Sequence, residues 1–200
     1  EGSSFATAKN TGFGALDPST GVLWANSEGT AEVWGFDPHS GAVEERIRTG
    51  TFLDGLALDR EVEGTCFVTG RLANTLARVE DGVVTADSDA VFWPFSPVVD
   101  TPRDRLWVLS QTEFVIHGLS RTDLEPQQVI DPGLGRSVML TFGSLVLHPS
   151  RNTLFLADAE RDRLHESDPD SGATLQTWDL GGPLIEDPNV NGQLLVRIHA

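Results

Sequence analysis

The fold is decided by residues 13–47, which read FGALDPSTGVLWANSEGTAEVWGFDPHSGAVEERI. Four short, largely apolar segments alternate with turns in this stretch. Two of the turns, Asp17–Gly21 and Asp37–Gly41, begin with Asp-Pro and end with Gly. Proline presets one turn dihedral, the Asp side chain bonds nearby backbone groups, and glycine takes the positive φ that closes the turn. The stretch therefore predicts four antiparallel strands that form one small sheet.

The same pattern recurs along the rest of the chain. The second strand of each unit carries a bulky residue at an equivalent place: Trp24, Phe67, Trp107, Phe155 and Leu195. These residues are separated by 43, 40, 48 and 40 positions. A repeat of about 40–50 residues with four strands is typical of a propeller blade, and one blade cannot bury both of its faces alone. We expect these bulky residues to pack in the core between blades.

The repeats predict an all-β chain that forms one β-propeller domain over residues 1–200. The predicted blades are 13–50, 51–88, 94–131, 142–180, and a last blade that combines 183–200 with 1–12. About five four-stranded blades would then form a ring, closed by pairing of the N- and C-terminal segments. The alternative is a fragment of a six- or seven-bladed ring, whose open edge would pair or aggregate.

Charge and hydropathy exclude several classes of partner. The net charge is −16, from 30 acidic and 14 basic residues. Such a field repels phosphate backbones and anionic lipids, so we expect neither a nucleic acid nor a membrane as partner. No apolar run approaches the roughly 18 residues of a membrane span. We expect a soluble monomer, either cytoplasmic or secreted or periplasmic after removal of a signal. The single cysteine, Cys66, lies in a buried-strand pattern and is expected to be a structural thiol.

Nearly the whole chain resembles the NHL, YVTN and gluconolactonase-like propellers. The resemblance rests on apolar strands that end in Asp-Pro or His-Pro, followed by an aromatic strand and a strand that runs into Asp-Pro-x-Ser-Gly. Residues 23–80 also resemble the plant and bacterial glutaminyl cyclases, which are five-bladed propellers. Leu23-Trp24-Ala25-Asn26 is similar to that family's aromatic-Ala-Asn strand, residues 53–59 (LDGLALD) to its Leu-Asn-Gly-Ile-Ala-Tyr-Asp, and residues 67–71 (FVTGR) to its Phe-Val-Thr-Gly-Lys.

The glutaminyl cyclase resemblance implies a glutaminyl-peptide cyclotransferase, but two acidic segments of that family are changed. Residues 11–16 (TGFGAL) stand where the family has Leu-Asn-Glu-Leu-Glu, and residues 140–145 (LTFGSL) lack its amide or acid. Cyclisation needs a group that carries a proton from the attacking amine to the leaving ammonia. Asn26 and Arg71 remain to bind an amide or a carboxylate, without an evident proton carrier.

The gluconolactonase-like resemblance implies a metal-dependent lactonase. That family holds a divalent cation, Ca²⁺ or Zn²⁺ being the candidates here, by oxygen ligands from different blades. Asp54 occupies the place of the family's Asn, and Asp158 ends a strand similar to its Asp-containing strand. Asn26 and Glu28 would join them if their loops lie on the same face. Alternatively these side chains cap loops without any metal.

The segments before the first strands of the blades are rich in aromatic residues, and the loops between second and third strands are polar. Both kinds of segment reach the same mouth of a propeller channel, where an apolar pocket with a few polar groups is the usual form of a ligand site. The predicted ligand-binding residues are Asn26, Glu28, Asp54, Arg71, Trp93, Gln111, Phe142 and Asp158. The sequence thus predicts binding of a small molecule or a peptide terminus, without an identifiable catalytic set. The alternatives are the two enzymes above and a scaffold for protein partners, or aromatic residues that only plug the channel.

Overall fold

A computed structural model describes residues 11–27, 31–49, 53–134, 144–158 and 161–180. These residues form four antiparallel sheets of four strands each, and every strand pairs with its neighbour in sequence. The first two sheets contain β1 (Thr11–Leu16), β2 (Leu23–Ser27), β3 (Glu32–Phe36), β4 (Val43–Arg48), β5 (Gly55–Leu58), β6 (Thr65–Gly70), β7 (Thr75–Glu80) and β8 (Val83–Ser88). The other two contain β9 (Pro94–Asp100), β10 (Arg105–Ser110), β11 (Val115–Ser120), β12 (Pro126–Ile130), β13 (Leu145–His148), β14 (Thr153–Asp158), β15 (Arg163–Ser167) and β16 (Thr174–Asp179). Single 3-10 turns follow β6 and β9.

The sheets are stacked as the blades of a β-propeller, which confirms the predicted fold class. The first strand of each blade packs on the first strand of the next, so that β1 lies on β5, β5 on β9 and β9 on β13. We call these four strands the inner strands. The predicted closing segments, residues 183–200 and 1–10, lie outside the described residues, so the fifth blade and the ring closure stay predictions. β1 begins at Thr11, slightly before the predicted start of the first blade.

The core lies between the blades. Trp24 of the first blade packs with Leu53 and Val68 of the second, and Phe67 of the second packs with Leu106 of the third. A third cluster joins Trp107 and Ile116 of the third blade to Leu145 and Leu154 of the fourth. The equivalent aromatic residues Trp24, Phe67, Trp107 and Phe155 are all buried, as expected. In the described part of the chain, neighbouring blades therefore bury these faces against each other.

The predicted turns form as the sequence indicates. Asp17 Oδ1 accepts a hydrogen bond from the Ser19 backbone N–H at 2.9 Å. Asp37 Oδ1 and Asp168 Oδ1 accept equivalent hydrogen bonds from the backbone N–H groups of His39 and Asp170, each at 2.8 Å. The glycine that closes the first of these turns, Gly21, has a φ of 76°. Local sequence chemistry therefore determines where these blade strands are joined.

Two arginines also join neighbouring blades at the ends of the inner strands. Arg103 Nε lies 2.7 Å from Asp170 of the fourth blade, and its Nη1 lies 3.0 Å from the buried Asp100. Arg121 Nη1 lies 3.1 Å from the buried Asp59 of the second blade. These arginines supply the counter-charge that a buried carboxylate requires.

Two further expectations concern the thiol and the membrane. Cys66 is buried on β6, and burial raises the pKa of its thiol to about 12, which agrees with a structural role. Within the described ranges, no helix is long and apolar enough to cross a bilayer.

Candidate functional site

Five of the predicted ligand residues lie close together at the face where the inner strands begin and the second strands of the blades end: Asn26, Asp54, Arg71, Trp93 and Gln111. Antiparallel pairing brings these two kinds of strand end together, as in Gly55 opposite Thr69 and Pro94 opposite Ser110. We call this end of the propeller the mouth face. The segments that follow the second strands and precede the inner strands therefore lie side by side here.

Asn26 links the first blade to the segment that leads into the second. Its Nδ2 donates to the Leu53 carbonyl oxygen at 2.8 Å, and the residue is fully buried. Leu53 is also fully buried, so this position belongs to the core between the first two blades. A buried side-chain amide that bonds a loop carbonyl fixes the path of that loop. Asn26 therefore positions the neighbouring Asp54.

Asp54 and Arg71 form an ion pair within the second blade. Asp54 Oδ2 accepts from the Arg71 backbone N–H at 2.8 Å, and Oδ1 lies 3.3 Å from Arg71 Nη2. The Asp54 side chain is 8% exposed, whereas the Arg71 side chain is 22% exposed. The carboxylate is thus held inside the blade, and the guanidinium group extends from it toward solvent.

Gln111 of the third blade completes this group. Arg71 Nη1 donates to Gln111 Oε1 at 3.4 Å. Because a guanidinium group only donates, the amide oxygen must face Arg71 and the Nε2 group must point away. Gln111 is 3% exposed, and among the described residues its Nε2 has no hydrogen-bond partner. A buried donor without a partner costs about 1–3 kcal/mol, so the Gln111 amide is a polar group that the described residues leave unsatisfied.

Trp93 stands beside the guanidinium group. The Arg71 Cζ atom lies 6.0 Å from the centre of the indole ring. Trp93 has a φ of 48°, and its backbone N–H donates to Asn74 Oδ1 at 2.9 Å. A positive φ in a bulky residue is strained and needs such fixed neighbours. The bond to Asn74 therefore holds the indole next to Arg71.

Two exposed apolar residues are sequence neighbours of this group, and the sequence patterns did not identify them as ligand residues. Leu72 follows Arg71 directly and is 65% exposed, and Phe92 precedes Trp93 and is 56% exposed. Large apolar residues in otherwise polar loops are the signal that could have identified them. The loops that carry Arg71 and Trp93 thus combine hydrogen-bond donors with exposed apolar side chains. We call Arg71, Trp93 and Gln111 the donor group.

Asp158 belongs to a separate group in the fourth blade. Its Oδ2 lies 3.0 Å from Arg161 Nη1 and 3.9 Å from His165 Nε2, and the carboxylate is fully buried. The structure thus pairs Asp54 and Asp158 each with an arginine of its own blade. Within the described ranges, no group of three or more His, Cys, Asp or Glu side chains is arranged to hold a metal ion. Glu28 and Phe142 lie outside the described residues.

No protein-family description and no curated protein matches this chain. Solved structures do match it. Hydrazine synthase from Kuenenia stuttgartiensis aligns with a TM-score of 0.70 and 11% identity, over 86% of this chain and 51% of that chain. A chain of the mitotic checkpoint complex aligns with a TM-score of 0.67 and 11% identity, over 85% and 51%. A streptogramin B lyase aligns with a TM-score of 0.65 and 16% identity, over 82% and 53%.

These similarities support the β-propeller architecture and nothing finer, because the identities are low. The chain spans about half the length of the three structures that it matches. The comparisons add no support for the local resemblance to glutaminyl cyclases. Any binding or catalytic role must therefore be argued from the chain's own residues.

Proposed function

We propose that this chain is a ligand-binding β-propeller, and that the donor group at the mouth face binds a small molecule or a peptide terminus through a carboxylate. The observation that carries the proposal is the buried Nε2 of Gln111, which lacks an acceptor beside the Arg71 guanidinium group. Both groups donate, so the missing partner is an oxygen atom. A carboxylate offers two acceptor oxygens and forms charge-assisted bonds with a guanidinium group.

The charge of the ligand contributes only part of the expected affinity. Asp54 already offsets the charge of Arg71 at 3.3 Å, and the whole chain carries a net charge of −16. Charge-assisted hydrogen bonds exceed neutral ones by about 1 kcal/mol, which corresponds to roughly a fivefold difference in affinity. We therefore expect a carboxylate to bind more tightly than the matching amide, and the difference to be moderate.

The apolar side chains near the donor group indicate which chemical group of the ligand lies next to its carboxylate. The exposed side chains of Leu72 and Phe92 and the half-buried Trp93 offer an apolar surface next to the donors. Apolar surface gains free energy when a ligand covers it. A carboxylate next to an aliphatic side chain fits both features, and N-acetyl-leucine is the simplest probe with this chemistry. It represents a free small molecule and the last residue of a peptide equally.

The test is isothermal titration calorimetry with N-acetyl-leucine and with N-acetyl-leucinamide, which lacks the charge. Gln111→Glu keeps the acceptor for Arg71 but replaces the donor Nε2 by a second oxygen. We expect this variant to weaken N-acetyl-leucine binding at least tenfold. Arg48→Gln, which removes an exposed arginine on the outer strand β4, should bind like the wild type. Equal affinity of the wild type and Gln111→Glu, or equal affinity for the two probes, would contradict the proposal.

A second candidate is the glutaminyl-peptide cyclotransferase, since the structure does bring a carboxylate to Arg71. Asp54 could carry the proton between the attacking amine and the leaving ammonia. Both of its oxygens, however, already accept contacts from Arg71, so one of these contacts would have to open first. Release of ammonia from a peptide with N-terminal glutamine, and its loss in Asp54→Asn, is the expected result. No ammonia release above the uncatalysed rate excludes this candidate.

A further inference from the structure

A separate cavity lies along the inner strands, toward the end opposite to the mouth face. Its volume is about 420 Å³. Aliphatic side chains of three successive inner strands form its walls, including Leu58 of β5, Val99 of β9 and Val146 of β13. Arg60 and Thr101, which lie just beyond the ends of β5 and β9, supply its polar lining. The cavity therefore lies between three inner strands and is not part of the donor group.

The size and lining of this cavity suit a small amphiphilic molecule. Pockets of about 300–1,000 Å³ with mainly apolar walls and few polar groups are typical small-molecule sites. An aliphatic ligand would cover the side chains of Leu58, Val99 and Val146. Each methylene group that leaves water strengthens binding by roughly fourfold. The walls therefore favour a flexible aliphatic chain.

Arg60 determines the expected charge of the ligand. Two neighbouring arginines already form ion pairs. Arg103 pairs with Asp100 and Asp170, and Arg121 pairs with Asp59 and Asp104. Arg60 is exposed, and among the described residues it makes no hydrogen bond or ion pair. A guanidinium group at the edge of an apolar cavity binds carboxylates well because it offers paired donors.

We propose that this cavity binds an aliphatic carboxylate, with its hydrocarbon chain between the inner strands and its carboxylate on Arg60. The proposal rests on the lining of the cavity. Its walls are aliphatic, and the Arg60 guanidinium group lies beyond the end of β5. The site is independent of the mouth face, because it shares no residue with the donor group.

The experiment is calorimetric titration of the purified chain with butanoate, hexanoate, octanoate and octanamide. We expect the affinity to rise by roughly fourfold for each added methylene group until the cavity is filled. Octanamide should bind several-fold more weakly than octanoate. Equal affinities for butanoate and octanoate, or for octanoate and octanamide, would overturn the proposal.

Two variants localise the binding. Arg60→Gln should lower octanoate affinity several-fold and leave octanamide binding unchanged, whereas Arg48→Gln serves as the matched arginine control. Val146→Phe places a larger side chain in the cavity, and Val146 lies outside the three core clusters. Val146→Phe should therefore weaken the binding of octanoate more than the binding of butanoate. If octanoate binds both variants like the wild type, the ligand lies elsewhere and the proposal is wrong. Gln111→Glu should leave octanoate binding intact, which separates this site from the mouth face.

Discussion

His165 lies on β15 with only 5% of its surface exposed. Its Nδ1 is 3.1 Å from Thr177 Oγ1, and its Nε2 is 3.9 Å from Asp158 Oδ2. Burial is the main cause that lowers the pKa of this imidazole from 6.5, and Arg163 and Arg161 act in the same direction. Asp158 opposes them, because its charge favours the imidazolium form. Folding therefore favours the neutral form of the ring relative to the unfolded chain.

The lowered pKa of His165 predicts a pH dependence of stability. Because the folded pKa lies below the unfolded value of 6.5, the unfolded chain binds the proton more tightly. The contribution of His165 is present above pH 6.5 and is lost as the pH falls through this value toward the folded pKa. We expect His165→Gln to have a smaller loss of unfolding free energy between pH 7 and pH 5 than the wild type. Urea denaturation at the two pH values measures this change in the free energy of unfolding. His39→Gln, in an exposed turn, is the control. An unchanged pH dependence in His165→Gln would contradict the buried neutral ring.

In the first and third blades, the tryptophan on the second strand lies opposite a glycine on the third strand. Trp24 lies opposite Gly35, and Trp107 lies opposite Gly118. A β-carbon on Gly118 would lie 2.5 Å from Trp107 Cζ3, whereas a β-carbon on Gly35 would lie 3.3 Å from Trp24 Cζ3. The indole ring thus covers the position that a side chain would occupy. The strand pair β10–β11 depends on this glycine for its packing.

Gly118→Ala is therefore expected to destabilise the chain by about 1–3 kcal/mol, because the methyl group displaces a fully buried indole ring. Gly35→Ala should cost less, since its neighbours need to move only slightly. Urea denaturation of both variants provides the comparison. Equal stabilities of Gly118→Ala and the wild type would show that the indole ring can shift without cost.

The strands and turns could be predicted from the sequence because they depend on local chemistry. The Asp17–Gly21 and Asp37–Gly41 turns follow from Asp, Pro and Gly at fixed spacing, and the buried Trp24 and Trp107 follow from the repeat. The Trp–Gly pairing was present in the sequence as well, but it becomes evident only when the strand register is known. The alternation of apolar and polar residues within one strand does not reveal which residue of the neighbouring strand lies opposite a given position.

Across the propeller, the donor group depends on contacts between blades that local sequence patterns do not reveal. Arg71 and Gln111 are 40 residues apart, yet they meet because the second and third blades pack side by side. Asp54 and Asp158 were both selected as metal ligands, but each lies with an arginine of its own blade. Composition and motifs identified the residue types, whereas the relative placement of the blades determines which of them meet.

A titration of the nitrogen-labelled chain with N-acetyl-leucine, monitored by proton–nitrogen correlation spectra, shows directly whether the mouth face binds a carboxylate. We predict that the side-chain amide signal of Gln111 and the indole signal of Trp93 shift together and saturate, because the carboxylate supplies the acceptor that the Gln111 amide lacks. The same titration of Gln111→Glu should leave the Trp93 signal unmoved. If N-acetyl-leucine saturates the chain while the Gln111 and Trp93 signals stay in place, or if no signal shifts at all, the mouth face is not a carboxylate-binding site.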